Sequence, residues 1–144
     1  AVIDATLMYG RVPLAVSSAG LVLLAHADDA VVDNMLVRGW PTPTPATLAG
    51  RDALVGALRT VHGARYADLR GHIHEDCRGI AVPIYGPGGT VLAALGVVVA
   101  NDGSSVQPTV KLLTAAAAGI RRALEAARAT ESGETGQESI PPLL

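Results

Sequence analysis

The sequence predicts an α+β fold, an antiparallel sheet with helices packed on its faces, and three observations carry that expectation. First, two β-branched, apolar runs, Arg78 to Tyr85 and Thr90 to Val99, flank the turn Gly86-Pro87-Gly88-Gly89, the pattern of a β-hairpin with both faces covered. Second, helical periodicity recurs before and after the hairpin, in the order strand, two helices, connector, helix, paired strands, final helix. Third, 49% of the 144 residues are hydrophobic, with no Phe and one Trp, so one aliphatic core can form without disulfide staples.

Each element has its own local reason. Ala1 to Met8 reads as a strand and Tyr9-Gly10-Arg11 as a turn. Val12 to Val16 is expected to be extended, because Pro13 holds its predecessor away from helical angles. Ser17 and Ser18 offer side-chain oxygens to cap a helix through Leu21, Leu24 and Ala25. A second helix spans Asp28 to Val37, with Val31, Val32, Met35 and Leu36 on one stripe and Gly39 closing it. Pro41-Thr42-Pro43-Thr44-Pro45 forms neither helix nor central strand and reads as an extended connector or lid. A third helix, opening at Leu48 or Gly50, runs to His62; Leu54, Val55, Leu58 and Val61 mark its buried face, and Gly63 fits a left-handed C-terminus. Arg65 to Leu69 is a short strand and Gly71 to Cys77 a polar loop leading into the hairpin.

After the hairpin, Asn101 to Ser105 is a loop and Pro108 suits the first turn of the last helix. That helix carries Val110, Leu113, Ala117, Ile120 and Leu124 on one face and Lys111, Arg121, Arg122 and Arg128 on the other. From Thr130 the composition turns to Glu, Ser, Gly, Thr and Pro, so residues 130–144 are expected to be a disordered tail after a domain of residues 1–129.

Composition excludes several function classes. The net charge is −2 and the basic residues are scattered, so this chain by itself is a poor binder of nucleic acid. No apolar run approaches the roughly 20 residues of a membrane span, and no charged segment precedes Leu21-Val22-Leu23-Leu24-Ala25 as a signal peptide requires. The single Cys77 precludes an internal disulfide and fits a reducing compartment, so the expected location is the cytoplasm. A start at Ala1, inside an expected strand, reads as a piece of a longer protein.

Three segments together resemble the effector-binding domain of the IclR family of bacterial transcriptional regulators. Gly10-Arg11-Val12-Pro13-Leu14 followed by Ser17-Ser18-Ala19-Gly20-Leu21-Val22-Leu23-Leu24-Ala25 resembles the family's G-x-x-P-L and A-x-G-K-a-l-L-A signature. Thr44-Pro45-Ala46-Thr47-Leu48 with the helix to Gly63 is similar to its T-p-x-T run, and the hairpin to its I-A-a-P-I and v-v-A-A-l-s-v-S strands. The resemblance spans roughly Gly10 to Leu124 in order. It implies a GAF-like or profilin-like antiparallel sheet flanked by helices, a pocket for a small-molecule effector, assembly as a homodimer or homotetramer, and DNA binding only through an N-terminal helix-turn-helix domain outside this chain. No cofactor is expected.

This chain departs from the family pattern at telling positions. The Gly-Lys pair is Gly20-Leu21, the cysteine before I-A is Gly79, and the two serines of the last strand correspond to Gly96 and Val98. The resemblance implies an organic or aromatic acid as effector; these exchanges imply a roomier, less polar pocket that suits a small carboxylate such as a keto acid less well and a larger, more apolar metabolite better. The residues expected against the ligand are Leu14, Ser18, Ala19, Gly20, Met35, Asp68, His72, Gly79, Ala81, Gly96 and Val98. Amides at the helix start of Ser18-Ala19-Gly20 would donate to an anionic end, although an ordinary capped helix has the same spacing.

Three rival readings remain. His72, His74 and Asp76 are metal-ligand residue types and would suit a metal-dependent enzyme, but no second His/Cys cluster completes the set, and a solvated polar loop has the same composition. The second rival is a ligand-free GAF-like dimerisation scaffold, and the third a free-standing sensor acting by protein contact. Catalysis otherwise lacks its parts: Cys77 has no evident base with an orienting third group, and Gly86-Pro87-Gly88-Gly89 lacks the lysine and following helix of a phosphate loop. An enzyme is therefore not expected.

Overall fold

The computed structural model describes residues 12–135; the expected strand Ala1–Met8, the turn after it and the end of the expected tail lie outside the described residues. A 3₁₀ turn, Leu14–Val16, leads into helix α1 (Ser18–Ala25). Next come α2 (Asp29–Arg38), α3 (Gly50–Ala64), strands β1 (Ala67–Arg70), β2 (Cys77–Tyr85) and β3 (Val91–Ala100), and the long helix α4 (Gln107–Thr135). The three strands form one antiparallel sheet in the order β1-β2-β3.

Strand alternation divides the core in two. The register pairs Ala67 with Ala81, Leu69 with Gly79, Gly96 with Ala81, and Val98 with Gly79, so these odd and even positions share one face. On that face Ala67, Leu69 and Ala81 pack with Leu21, Val22 and Leu24 of α1 and Leu54, Leu58 and Val61 of α3. On the opposite face Ile80, Val82 and Ile84 meet Leu113 and Ala117 of α4. The result is a central sheet between helices, the α+β architecture the sequence predicts.

Several local expectations are corrected. Residues 14–16 close a 3₁₀ turn through the Val16 amide bonded to the Pro13 carbonyl, where an extended run was expected; Pro13 precedes the turn with ψ of 139°. The C-terminus of α3 falls at Arg65, which adopts φ 63°, and Gly63 lies inside the helix. Val31 on α2 is exposed, while Val32, Met35 and Leu36 pack against the core. β2 is buried over most of its length, but β3 is only partly covered. Helix α4 continues through Thr135, past the point where the tail was expected to begin. Gly88 and Gly89 in the hairpin turn have φ of 71° and 80°, angles that explain glycine there.

On the α4 face the sheet buries an ion pair. The Arg78 side chain is 1% exposed and donates to both Asp68 carboxylate oxygens, at 2.7 and 2.8 Å, and to the Ser104 carbonyl at 2.6 Å. The Arg78 hydrogen bond holds the Asp68 carboxyl below its ordinary value, and burial opposes the shift. The pair ties β1 to β2 and both to the loop before α4. Removing one partner strands a buried charge, so Asp68→Asn is expected to cost about 3 kcal/mol in urea unfolding. Because the Asp68 pKa is lowered, its contribution is complete above the ordinary carboxylate value of 3.8 and is lost as pH falls through the lower folded value. Wild-type stability should therefore drop on acidification below that value more steeply than that of Asp68→Asn.

Candidate ligand pocket

The pocket begins with how α1 starts. Ser17 is extended and its Oγ accepts the Gly20 amide at 3.0 Å, the N-cap bond expected from Ser17-Ser18. The first intrahelical bond runs from the Leu21 amide to the Ser17 carbonyl at 3.0 Å, so the Ser18 and Ala19 amides precede it at the positive end of the helix. Two glycines bring this start against its neighbours. A Cβ on Gly20 would lie 2.1 Å from the Leu14 carbonyl oxygen, and one on Gly79 would lie 2.8 Å from Ser18 Oγ.

Beside this helix start a cavity of about 260 Å³ opens between α1, the sheet and the loop after β1. It is lined by Val12, Val16, Ser17, Ser18, Ala19, Leu69, His72, Ile73, Cys77, Gly79, Gly96, Val97 and Val98. Gly79 and Gly96 lie on adjacent strands; Ser18 takes the place of a side chain at Gly79, while Gly96 leaves depth above the sheet. Polar groups are few: two serine hydroxyls, the Cys77 thiol and the His72 imidazole. Among the described residues, none of the lining side chains carries a permanent charge.

His72 is held there from behind. Thr44 Oγ1 donates to the Gly71 carbonyl and Thr47 Oγ1 to the His72 carbonyl, so the proline-threonine connector clamps the loop. Trp40 Nε1 donates to the Leu48 carbonyl at 2.7 Å and anchors the other end of the connector. Burial pushes the His72 pKa down from its ordinary value, and the nearby Asp68 carboxylate opposes the shift. His72 Nδ1 is the one buried side-chain polar atom without a hydrogen-bond partner among the described residues.

Of the eleven residues expected at a ligand, six meet in this cavity: Ser18, Ala19, His72, Gly79, Gly96 and Val98. The other five lie elsewhere, for physical reasons. Gly20 and Leu14 are pressed together, backbone against Cα, and their contact closes the space a ligand would need. Met35 is on α2 and packs against the aliphatic core. Ala81 is fully buried beneath Gly96, where an added Cβ would lie 3.2 Å from that of Ala81. Asp68 faces the opposite side of the sheet, paired with Arg78.

Leu69 and Cys77 share the pocket face with Gly79; the period of two assigns them to it once the strand phase is known. Val12, Val16, Ser17, Ile73 and Val97 also line the cavity, and nothing in their local pattern marks them as ligand contacts.

The metal reading is not supported by the geometry. His72 faces the cavity, whereas His74 and Asp76 associate with each other on the exposed loop, Nδ1 to Oδ2 at 3.9 Å. Among the described residues no group of three or more His, Cys, Asp or Glu side chains is placed to hold a metal ion. Nor is any described helix long and apolar enough to cross a membrane.

Comparison with known proteins agrees with this architecture. Residues 2–122 match the family model described as the bacterial transcriptional regulator IclR C-terminal domain. The chain is 37% identical over 87 residues to the HTH-type transcriptional regulator XynR of Escherichia coli (strain K12), covering 59% of this chain and 34% of that protein. It is 35% identical over 89 residues to the Pca regulon regulatory protein of Pseudomonas putida, covering 61% of this chain and 31% of that protein. The chain thus spans about a third of the length of these curated relatives. Its structure superimposes with a TM-score of 0.75 on an IclR homologue from Microbacterium hydrocarbonoxydans complexed with 4-hydroxybenzoate, at 40% identity, covering 81% of this chain and 48% of that one.

The roles of the two kinds of glycine are separable by experiment. Gly20→Ala is expected to destabilise the fold by about 3 kcal/mol, because a backbone carbonyl blocks the new methyl. Gly63→Ala, inside α3 with nothing within 4 Å of its added Cβ, should instead stabilise by about 0.5–1 kcal/mol. Urea unfolding of both variants checks the contrast.

Proposed function

The chain belongs to the IclR C-terminal family of bacterial transcriptional regulators, and on that premise we propose that the cavity beside the start of α1 is an effector site for a small, mostly apolar acid. The observation that carries the proposal is the cavity itself: an aliphatic hollow of about 260 Å³ with hydroxyls, helix-start amides and one imidazole on its lining. That volume suits a benzoate-sized molecule. The complex of the Microbacterium hydrocarbonoxydans homologue with 4-hydroxybenzoate supports the same ligand class. Gly96 and Val98 give this pocket an apolar back wall, favouring an aromatic or branched body over a short keto acid.

The function follows as sensing rather than catalysis, in line with relatives that are transcriptional regulators. Ligand contacts would favour one arrangement of subunits in a homodimer or homotetramer, and thereby one disposition of helix-turn-helix domains outside this chain. Only a difference in affinity between two arrangements can drive such a shift. Leu112, 73% exposed on α4, and Val37, 87% exposed on α2, supply apolar surface for assembly. The site of action is the cytoplasm, where the DNA is.

Benzoate, 4-hydroxybenzoate and octanoate discriminate within this class. At a hundredfold excess over its Kd, a bound acid should stabilise the protein by about 2.7 kcal/mol in a thermal-shift assay. Val98→Trp, at a residue 58% exposed and therefore tolerant of a larger side chain, should fill the hollow and abolish the shift. An undiminished shift in that variant would refute the placement of the site.

A further inference from the structure

We propose that His72 is the polar anchor of the cavity and that a carboxylate effector enters it together with one proton, which the imidazole retains while the ligand is bound. The inference rests on the proposed effector site and adds a charge balance to it. Among the described residues the lining contains neither Lys nor Arg. The helix start of α1 contributes only partial charge, and Ser17 Oγ is already engaged with the Gly20 amide. A carboxylate in an apolar hollow needs a charged or strongly donating partner, or it is expelled.

His72 meets that need. Its side chain lines the cavity, and its Nδ1 has no hydrogen-bond partner in the protein. Its backbone is fixed by Thr47, which donates to the His72 carbonyl whatever side chain stands there. Burial lowers the pKa of the free imidazole and so favours its neutral form, with Asp68 opposing the shift. A carboxylate alongside reverses that shift by favouring the imidazolium.

The groups facing His72 are few. Cys77 is the other titratable residue among the described residues of the lining. Asp68 acts on the ring from β1 but is bound to Arg78 on the opposite sheet face. His74 and Asp76 pair with each other on the outer part of the loop.

The sign of the linkage follows. Between the free and ligand-bound pKa values of His72, binding takes up a proton, and affinity rises by at most tenfold for each unit that pH falls. Outside that interval the dependence disappears. A neutral molecule of the same shape takes up no proton.

Benzoate and benzamide are the probes, because benzoate stays ionised from pH 5.5 to 8.5 and benzamide stays neutral. Titration calorimetry on the wild-type protein should show benzoate binding about tenfold tighter at pH 6 than at pH 8, with benzamide flat. His72→Asn keeps a donor near the position of Nδ1 but cannot titrate; it should flatten the benzoate profile, and thermal melting checks that it is folded. His72→Gln serves as a second variant with the same expectation. Nuclear magnetic resonance titration of the His72 ring should show its pKa rising when benzoate is added.

A benzoate profile that is flat in the wild type, or that keeps its slope in both variants, overturns the proton-coupled anchor while leaving the effector site standing. Binding of neither probe, with no stabilisation by 4-hydroxybenzoate or octanoate, removes the effector site and this proposal with it.

Discussion

The start of α1 is pressed against the rest of the fold at two points where a Cβ would not fit. At Gly20 the obstacle is the Leu14 carbonyl, and at Gly79 it is the Ser18 hydroxyl. These approaches set the helix start at a fixed height over β2. From that height follows the cavity: its roof is Ser17-Ser18-Ala19, its floor is Gly79 and Gly96, and its side walls are aliphatic. Missing side chains therefore do two distinct jobs. Gly20 admits protein backbone, whereas Gly96 leaves depth on the sheet.

The two faces of the sheet also have different chemistry. The face toward α1 and α3 carries the aliphatic core and the cavity, without a charged side chain among the described lining residues. The face toward α4 carries the buried Arg78–Asp68 pair. The strand alternation thus keeps the ion pair on the side of the sheet away from the cavity. The Thr44 and Thr47 hydroxyls extend the same logic to the connector, since both bond to consecutive carbonyls of the loop that carries His72.

Much of this was legible in the sequence. The hairpin showed through its β-branched runs and Gly/Pro turn, the helices through their apolar stripes, and the cap of α1 through Ser17-Ser18. The likeness of three ordered segments to IclR effector domains agrees with the family match over residues 2–122. What was not legible depended on strand phase and long-range packing. A composition of Asp68, Leu69 and Arg70 does not say which side chain faces the helices; pairing with Gly79 and Ile80 decides it. Nor does a glycine reveal whether protein fills the vacated space or leaves it open, and so Gly20 and Gly96 looked alike. Arg65 in left-handed geometry, two residues after Gly63, likewise reflects the tertiary route from α3 into β1 rather than local preference.

The central claim is that a small acid lies between the first turn of α1 and the sheet glycines Gly79 and Gly96. Backbone amide chemical-shift mapping on isotope-labelled protein with added benzoate tests it most directly. The account predicts the largest displacements at Ser18, Ala19, His72, Gly79 and Gly96, with α4 little changed. Displacements centred on α4, or spread evenly over the surface, would contradict it.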